Sequence, residues 1–126
     1  MRIFTFMRPL YIYNSLKQIV QFLGIETNMI VSSEVSIDHS LKSKAKVIAI
    51  CKEIGADIYI NSVGGKSLYD VNEFKKEGVN LRFLITEFFE YKQFGNQFVP
   101  WLSILDKMMF NSVYKIREYL NKYFLV

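Results

Sequence analysis

The sequence predicts an α/β fold with a small, three-layer, mostly parallel sheet and flanking helices. Segments of strand and helix character alternate along the chain, as in Rossmann-like proteins. The composition is 51% hydrophobic and 16% aromatic, which is enough to build a core. With 126 residues, the chain suits a single domain spanning residues 1–126.

The amino-terminal third predicts a strand followed by a helix. Residues 3–7 have strand character, and Pro9 would end that strand or confine it to an edge. Ser15 and Gln18 match a capping box, and Gly24 is placed to end the helix that this box would begin. The apolar residues of this helix recur at helical spacing: Leu16, Ile19, Val20 and Leu23.

A second strand and helix follow. Residues 26–31 read as a strand, with a polar loop over residues 32–36. The next helix is predicted from His39 or Ser40 to Ile54, before the helix-stop residue Gly55. Its apolar residues form two stripes, which predicts cover on two sides: Val47, Ile50, Cys51 and Ile54, then Leu41, Ala45 and Ile48.

The central segment predicts a strand, a glycine loop and a short helix. Residues 57–61 form a run of strand character too short for a helix. Asp70 is the predicted N-cap of a helix that ends near Gly78. Residues 79–86 are almost continuously apolar, which predicts a strand covered on both faces.

The carboxyl-terminal third predicts an aromatic loop and two helices. The loop spans residues 87–100, and its aromatic side chains are expected to pack on the core rather than form a binding surface. Pro100 and Ser103 begin one helix, and Asn111 or Ser112 caps the last. The residues expected to face inward from the first are Leu102, Leu105, Met108 and Met109, and those from the second are Val113, Ile116 and Leu120.

The loop between the central strand and helix is the first candidate binding site. Backbone N–H groups of Gly64, Gly65 and Lys66, with the Lys66 amine, could hold a phosphate or carboxylate. The spacing matches neither a Walker A loop nor a dinucleotide-binding fingerprint, and a tight turn between strand and helix is an equal alternative. Ser62 and Tyr69 flank this loop, where Tyr69 either contacts a sugar or packs in the core.

Three further residues have both a binding and a structural interpretation. Asp70 lies beside the glycine loop, but its spacing favours an N-cap. Ser103 and Asp106 would help to close the pocket, although a serine three residues before an acid is also a capping pattern.

Several function classes are disfavoured. His39 is the only histidine and Cys51 the only cysteine, so a histidine-based metal site and a disulfide are excluded by count. Cys51 is expected to be a buried, unreactive thiol, and His39 shows no sign of approaching a nucleophile. The net charge of +4 is mild and the basic residues are not interleaved with aromatic ones, which argues against nucleic acid. No apolar run is long enough to span a membrane, and a cytoplasmic location is expected.

Two motifs resemble the WbqC-like family. Residues 50–60 with Gly64, Gly65, Leu68 and Tyr69 are similar to its "I-C-K-x-L-G-A-x-x-Y-L-S-G-x-G-G-x-x-Y-L" run. Residues 91–106 are similar to its "Y-x-Q-x-x-x-x-F-x-P-x-L-S-I-I-D" segment, and Phe110-Asn111 to the "F-N" after it. The resemblance covers about residues 14–126.

The resemblance implies a bacterial cytoplasmic protein of O-antigen and other surface-polysaccharide synthesis. By that association, the resemblance implies a role in modifying an amino sugar carried on a nucleotide. Members of the family are about twice as long and carry an amino-terminal His-Gln-Pro-Asn-like turn, which this sequence lacks. We therefore expect a truncated chain that either self-associates or meets a partner supplying the other half. The alternative is a non-catalytic α/β module that binds a ligand or partner.

Overall fold

The computed structural model describes residues 4–95 and 97–126. The helices are α1 (Phe4–Phe22), α2 (Ser43–Glu53), α3 (Val71–Lys76), α4 (Ile104–Phe110) and α5 (Val113–Leu120). The strands are β1 (Ile58–Ser62), β2 (Asn80–Thr86) and β3 (Tyr123–Leu125), and short 3₁₀ turns cover Ser32–Glu34 and Val63–Gly65. The predicted α/β class is confirmed.

Backbone contacts divide the chain into two compact units. The first contains α1, α4 and α5, and comprises the chain up to Asn28 with Phe89–Asn121. The second contains the sheet, α2 and α3, and comprises Met29–Phe88 with Lys122–Val126. Each unit is built from distant parts of the sequence.

The sheet of the second unit has the order β1-β2-β3. β1 and β2 are parallel, with Ile58 opposite Asn80 and Ser62 opposite Leu84. β3 runs antiparallel to β2, with Leu84 opposite Leu125. Sequence patterns predicted the first two strands, whereas β3 was missed because three residues are too few to show a period.

The core of the second unit lies between the sheet, α2 and α3. Its buried members are Cys51, Phe74, Val79, Leu81 and Phe83. Phe74 is fully buried, and Val47 and Ile48 of α2 pack against the same cluster. The inward stripe predicted for α2 is therefore correct at Val47 and Cys51.

The other face of the sheet differs from the prediction. Leu81 and Phe83 are buried but Arg82 between them is exposed, so β2 is not covered on both faces. Ile58 and Ile60, which share the face of Arg82, are about half exposed. A continuous apolar run does not show that both faces of a strand are covered. Side chains alternate between the two faces, and only those on one face meet the helices.

Helix boundaries in the second unit follow local hydrogen bonds. α2 begins at Ser43, later than predicted, because Asp38 holds residues 38–41 in a turn by accepting the Ser40 N–H at 2.9 Å. These hydrogen bonds from Ser40 also lower the pKa of Asp38. α3 begins at its predicted cap and ends before Gly78, which has φ +80°.

Three predictions in the first 31 residues are wrong. Residues 4–7, predicted as strand, form the start of α1, while residue 3 lies outside the described residues. Ser15 lies inside that helix, where its hydroxyl donates to the Ile12 carbonyl at 2.8 Å instead of capping. Residues 26–31 form no strand. Strand propensity is a weak signal that context overrides.

The end of α1 is as predicted. Gly24 adopts φ +60°, and its N–H donates to the Gln21 carbonyl at 3.0 Å. The Ile25 N–H reaches back to the Val20 carbonyl at 2.9 Å, which gives the left-handed helix end that glycine favours. The Arg117 side chain lies over this turn and donates from Nε to the Leu23 carbonyl at 2.6 Å.

The aromatic loop packs as predicted only in part, because Phe88 and Phe94 are 60% and 75% exposed. Phe89 stacks on Tyr119 with ring centroids 4.2 Å apart, and Tyr91 meets Phe98 edge to face at 5.3 Å. Phe94 contacts Phe110 of α4 at 4.7 Å.

The serine caps of α4 and α5 are also confirmed. Ser103 accepts the Leu105 N–H and Ser112 accepts the Lys115 N–H, each at 3.3 Å. The inward face predicted for α4 is wrong at Leu102, Leu105 and Met109, which are exposed, whereas Met108 is partly buried. In α5, Ile116 is buried as expected, whereas Leu120 is 41% exposed.

Candidate functional site

The predicted glycine loop is a compact turn between β1 and α3. After Ser62, residues Val63–Gly65 form a 3₁₀ turn, and the Lys66 N–H donates to the Val63 carbonyl at 3.1 Å. The Leu68 N–H donates to the Gly65 carbonyl at 2.9 Å. The Lys66 N–H is therefore already satisfied by the chain itself, which removes it from the predicted anion cradle.

The two glycines are not needed for positive φ. The glycines with positive φ are Gly24, Gly55 and Gly78, so the backbone at 64 and 65 is open to other residues. Space decides position 65 instead, because a Cβ on Gly65 would lie 2.4 Å from Nδ2 of Asn61. Asn61 is fixed in turn, since its Oδ1 accepts the Ser62 N–H at 2.8 Å. The side chain of Asn61, rather than a ligand, makes the close approach to position 65 that requires glycine.

Two polar side chains of this loop face solvent. Lys66 is exposed, and its ammonium makes no hydrogen bond or ion pair with any described residue. Ser62, at the end of β1, is also exposed. Val63 and Leu68 of the same loop are 46% and 69% exposed. The loop therefore offers a cation, a hydroxyl and apolar surface beyond the carboxyl end of a parallel strand, where α/β sheets commonly bind ligands.

Tyr69 and Asp70 have structural roles at the base of the loop. The Tyr69 ring meets Phe74 at 5.6 Å and Tyr59 at 6.2 Å, both edge to face, while Tyr59 stacks on Phe74 at 5.8 Å. Burial raises the pKa of Tyr59, so its phenol stays neutral. Asp70 Oδ1 accepts the N–H groups of Asn72 and Glu73 at 2.7 and 3.1 Å, which confirms its role as N-cap.

The remaining predicted site residues, Ser103 and Asp106, belong to the first unit. Ser103 caps α4, and Asp106 accepts a hydrogen bond from the Tyr91 hydroxyl at 2.5 Å. The other six predicted residues lie together along residues 62–70 of the second unit. A role for Ser103 and Asp106 in closing the pocket stays a prediction.

A polar network around Asp106 was not predicted from sequence. Gln93 Nε2 donates to Asp106 Oδ2 at 3.2 Å and to the Val99 carbonyl at 3.1 Å, while Gln93 Oε1 accepts the Val99 N–H at 2.9 Å. Burial and the hydrogen bond to Asp106 raise the pKa of Tyr91. The Tyr-x-Gln spacing was the available signal, because residues two apart in extended chain point the same way.

His39 and Cys51, the two residues considered for nucleophilic catalysis, are hydrogen-bonded and buried, respectively. The Nε2 N–H of His39 donates a hydrogen bond to the Val35 carbonyl at 3.1 Å. Cys51 is 4% exposed, and burial raises the pKa of its thiol, which confirms the predicted unreactive cysteine.

A groove of about 450 Å³ runs between α2 and α3. Ala45, Ile48 and Ala49 of α2 line its apolar part. Ion pairs Lys44–Glu73, at 2.7 Å, and Lys52–Glu77 flank it. Sequence reasoning missed the groove because it depends on how two helices pair.

Two features are absent from the described residues. No group of three or more His, Cys, Asp or Glu side chains in residues 4–95 and 97–126 is arranged to hold a metal ion. Within the same part of the chain, no helix combines the length and apolar character needed to cross a bilayer.

Comparison with known proteins identifies the family. No curated protein and no solved structure shows significant similarity to the chain. The sequence profile described as the WbqC-like protein family matches residues 9–118, which is most of the 126 residues. That range includes both motifs, the glycine loop and the Tyr91–Asp106 network. The chain belongs to the WbqC-like protein family.

Proposed function

We propose that this chain acts in the cytoplasmic stage of bacterial surface-polysaccharide synthesis, including O-antigen, and binds an amino sugar carried on a nucleotide. The single observation that carries the proposal is the exposed Lys66 ammonium, without a partner among the described residues, in the loop that follows β1. Membership of the WbqC-like family and the reducing environment suggested by one buried cysteine support it.

In this proposal the diphosphate of the ligand lies against the side chains of Lys66 and Ser62. The amino terminus of α3 is not its binding site, because the Asp70 carboxylate already occupies that end of the helix. Lysine acts as a point charge toward phosphate, and the serine hydroxyl adds a directional hydrogen bond. Val63 and Leu68 supply apolar surface for the sugar or base.

Binding without catalysis is a second candidate function, and one observation favours it. Neither His39 nor Cys51 is paired with a second catalytic group in the described residues, since His39 donates to a carbonyl and Cys51 is buried. Mass spectrometry of a nucleotide–amino sugar after incubation with the protein separates the two. A changed sugar mass establishes an enzyme, whereas an unchanged ligand that still binds is the result expected of a binding module.

Thermal unfolding in the presence of nucleotides and nucleotide–amino sugars tests the binding site. A ligand present at a hundredfold excess over Kd stabilises the native state by about 2.7 kcal/mol, which raises the unfolding midpoint. We expect Lys66→Gln to weaken binding about tenfold or more, since a charge-assisted contact to phosphate is lost. Lys75→Gln, a matched exposed lysine on α3, is expected to leave binding unchanged.

Lys66→Gln is a better test than a change at Gly65. A side chain at position 65 would displace the Asn61 side chain, so a change there alters the loop as well as any ligand contact. Binding that is equal in Lys66→Gln and the original chain would reject this site, and a midpoint unmoved by every nucleotide would reject the ligand class.

A further inference from the structure

Helix α4 partly buries both of its charged side chains and exposes two of its apolar ones, Leu105 and Met109. Asp106 and Lys107 are both partly buried: Asp106 accepts from Tyr91, and the Lys107 ammonium lies 4.5 Å from the centroid of the Phe89 ring. Leu105 and Met109, one turn apart on the same face, are 54% and 75% exposed. A solvated surface helix normally shows the opposite arrangement.

More apolar surface adjoins this face. Trp101 and Leu102, which directly precede the cap of α4, are 73% and 42% exposed, and Phe94, in contact with Phe110 at the end of the helix, is 75% exposed. Trp101 also has φ +61°, a strained conformation for a bulky residue. We call these residues the α4 surface: Phe94, Trp101, Leu102, Leu105 and Met109.

We propose that the α4 surface is a self-complementary interface that binds the α4 surface of a second copy of this chain. Phe94 and Trp101 are each about three-quarters exposed and present on the order of 300 Å² of apolar area, since an aromatic side chain covers about 150–250 Å². Leu102, Leu105 and Met109 extend this area, which suits the apolar centre of an interface that takes about 800 Å² from each partner. Exposed Trp and Met are also enriched at interface centres.

The distribution of charge favours a second copy of the chain over a lipid surface, and the α4 surface over the exposed sheet face. None of the five residues is charged, so a two-fold axis through this surface brings no like charges together. The exposed sheet face is different, because Arg82 near its centre would meet the Arg82 of a second copy. A lipid surface is also disfavoured, since membrane-surface helices place cations beside their apolar face and Lys107 of α4 is turned onto Phe89.

Sedimentation velocity of the full chain over about a hundredfold range of concentration tests the proposal. We expect the mass to rise from the 14.9 kDa monomer toward twice that value. Met109→Glu and Leu105→Glu should each raise the dissociation constant at least about tenfold. Tyr114→Glu, which alters an 80% exposed residue of α5, is the control and should dimerise like the original chain.

Trp101, the only tryptophan, reports the same event independently. Its emission should shift to the red on dilution and stay red at all concentrations in Met109→Glu, whose fold is checked by circular dichroism. A chain that is monomeric throughout, or a dimer that persists in both glutamate variants, would overturn the proposal. So would a monomer that sediments with phosphatidylcholine–phosphatidylglycerol vesicles only when Met109 is intact, because the surface would then bind lipid.

Discussion

Helices α3 and α4 are similar in sequence pattern but opposite in packing. They have six and seven residues, and each begins at a polar side chain that caps it as predicted. α3 buries Phe74 completely and exposes Lys75 and Lys76, whereas α4 buries no residue fully. α3 packs through Phe74, its apolar anchor, whereas α4 joins a hydrogen-bond network through Asp106, its polar anchor. A helix can therefore be predicted correctly while its orientation is not.

The largest expected loss of stability comes from removing the side chain of Phe74, the apolar anchor of α3. Phe74→Ala should destabilise the protein by about 3–5 kcal/mol, because it empties a fully buried site in contact with Tyr59 and Tyr69. Met109→Ala should change the stability of the monomer by no more than about 0.5 kcal/mol. Urea unfolding at dilute protein measures both. Equal losses in the two variants would contradict the assignment of Met109 to the outer surface.

A smaller effect is expected at the polar anchor. Tyr91→Phe removes the hydroxyl that donates to Asp106 and leaves Gln93 as its remaining side-chain donor, which should cost about 1–3 kcal/mol. Tyr114→Phe, at an 80% exposed tyrosine, is the matched control and should be neutral. Urea midpoints of the two variants decide the question. If both are neutral, α4 is held by its apolar contacts rather than by the network.

The smallest expected effect concerns Glu77, which follows α3, and is a change of its pKa with salt or with the loss of Lys52. A hydrogen bond and the charge of Lys52 lower the pKa of Glu77, after α3, below its ordinary value of 4.5. Because the folded pKa is depressed, the stability that this pair contributes is present above about pH 4.5 and is lost as pH falls through the folded pKa. We expect Lys52→Gln to raise the pKa of Glu77 in an NMR titration, as should high salt. A pKa unmoved by either would show that the pair does not form.

The hydrogen bond between Tyr91 and Asp106 should add no pH dependence to the stability near neutral pH. The pKa of Tyr91 is raised by burial and by Asp106, so the phenol keeps its proton across the neutral range and the hydrogen bond persists. The two helices thus differ in kind: α3 has a screened, exposed ion pair beside it, and α4 has a partly buried hydrogen bond.

Apart from Ser15 and the start of α2, caps and helix ends were predicted correctly from sequence because their physics is local. Asp70, Ser103 and Ser112 accept N–H groups two or three residues away, so the spacing itself determines the contact. Gly24 ends α1 through bonds within its own turn. The strands β1 and β2 and the position of the glycine loop were predicted for a similar reason, since short β-branched or apolar runs between turn residues favour strands.

Tertiary structure alone decided which way these elements face and what they touch. The sequence placed glycine at position 65, but only the fold shows that Asn61 fills the space of its absent side chain. The same applies to the α2–α3 groove, to the pairing of β3 with β2, and to the bond between Tyr91 and Asp106. Each needs partners that are distant in sequence or set by the course of the chain, whereas the caps need only neighbours a turn away. The exposed face of α4 is a further case, because hydrophobic spacing predicts Leu105 and Met109 to face inward and the fold exposes both.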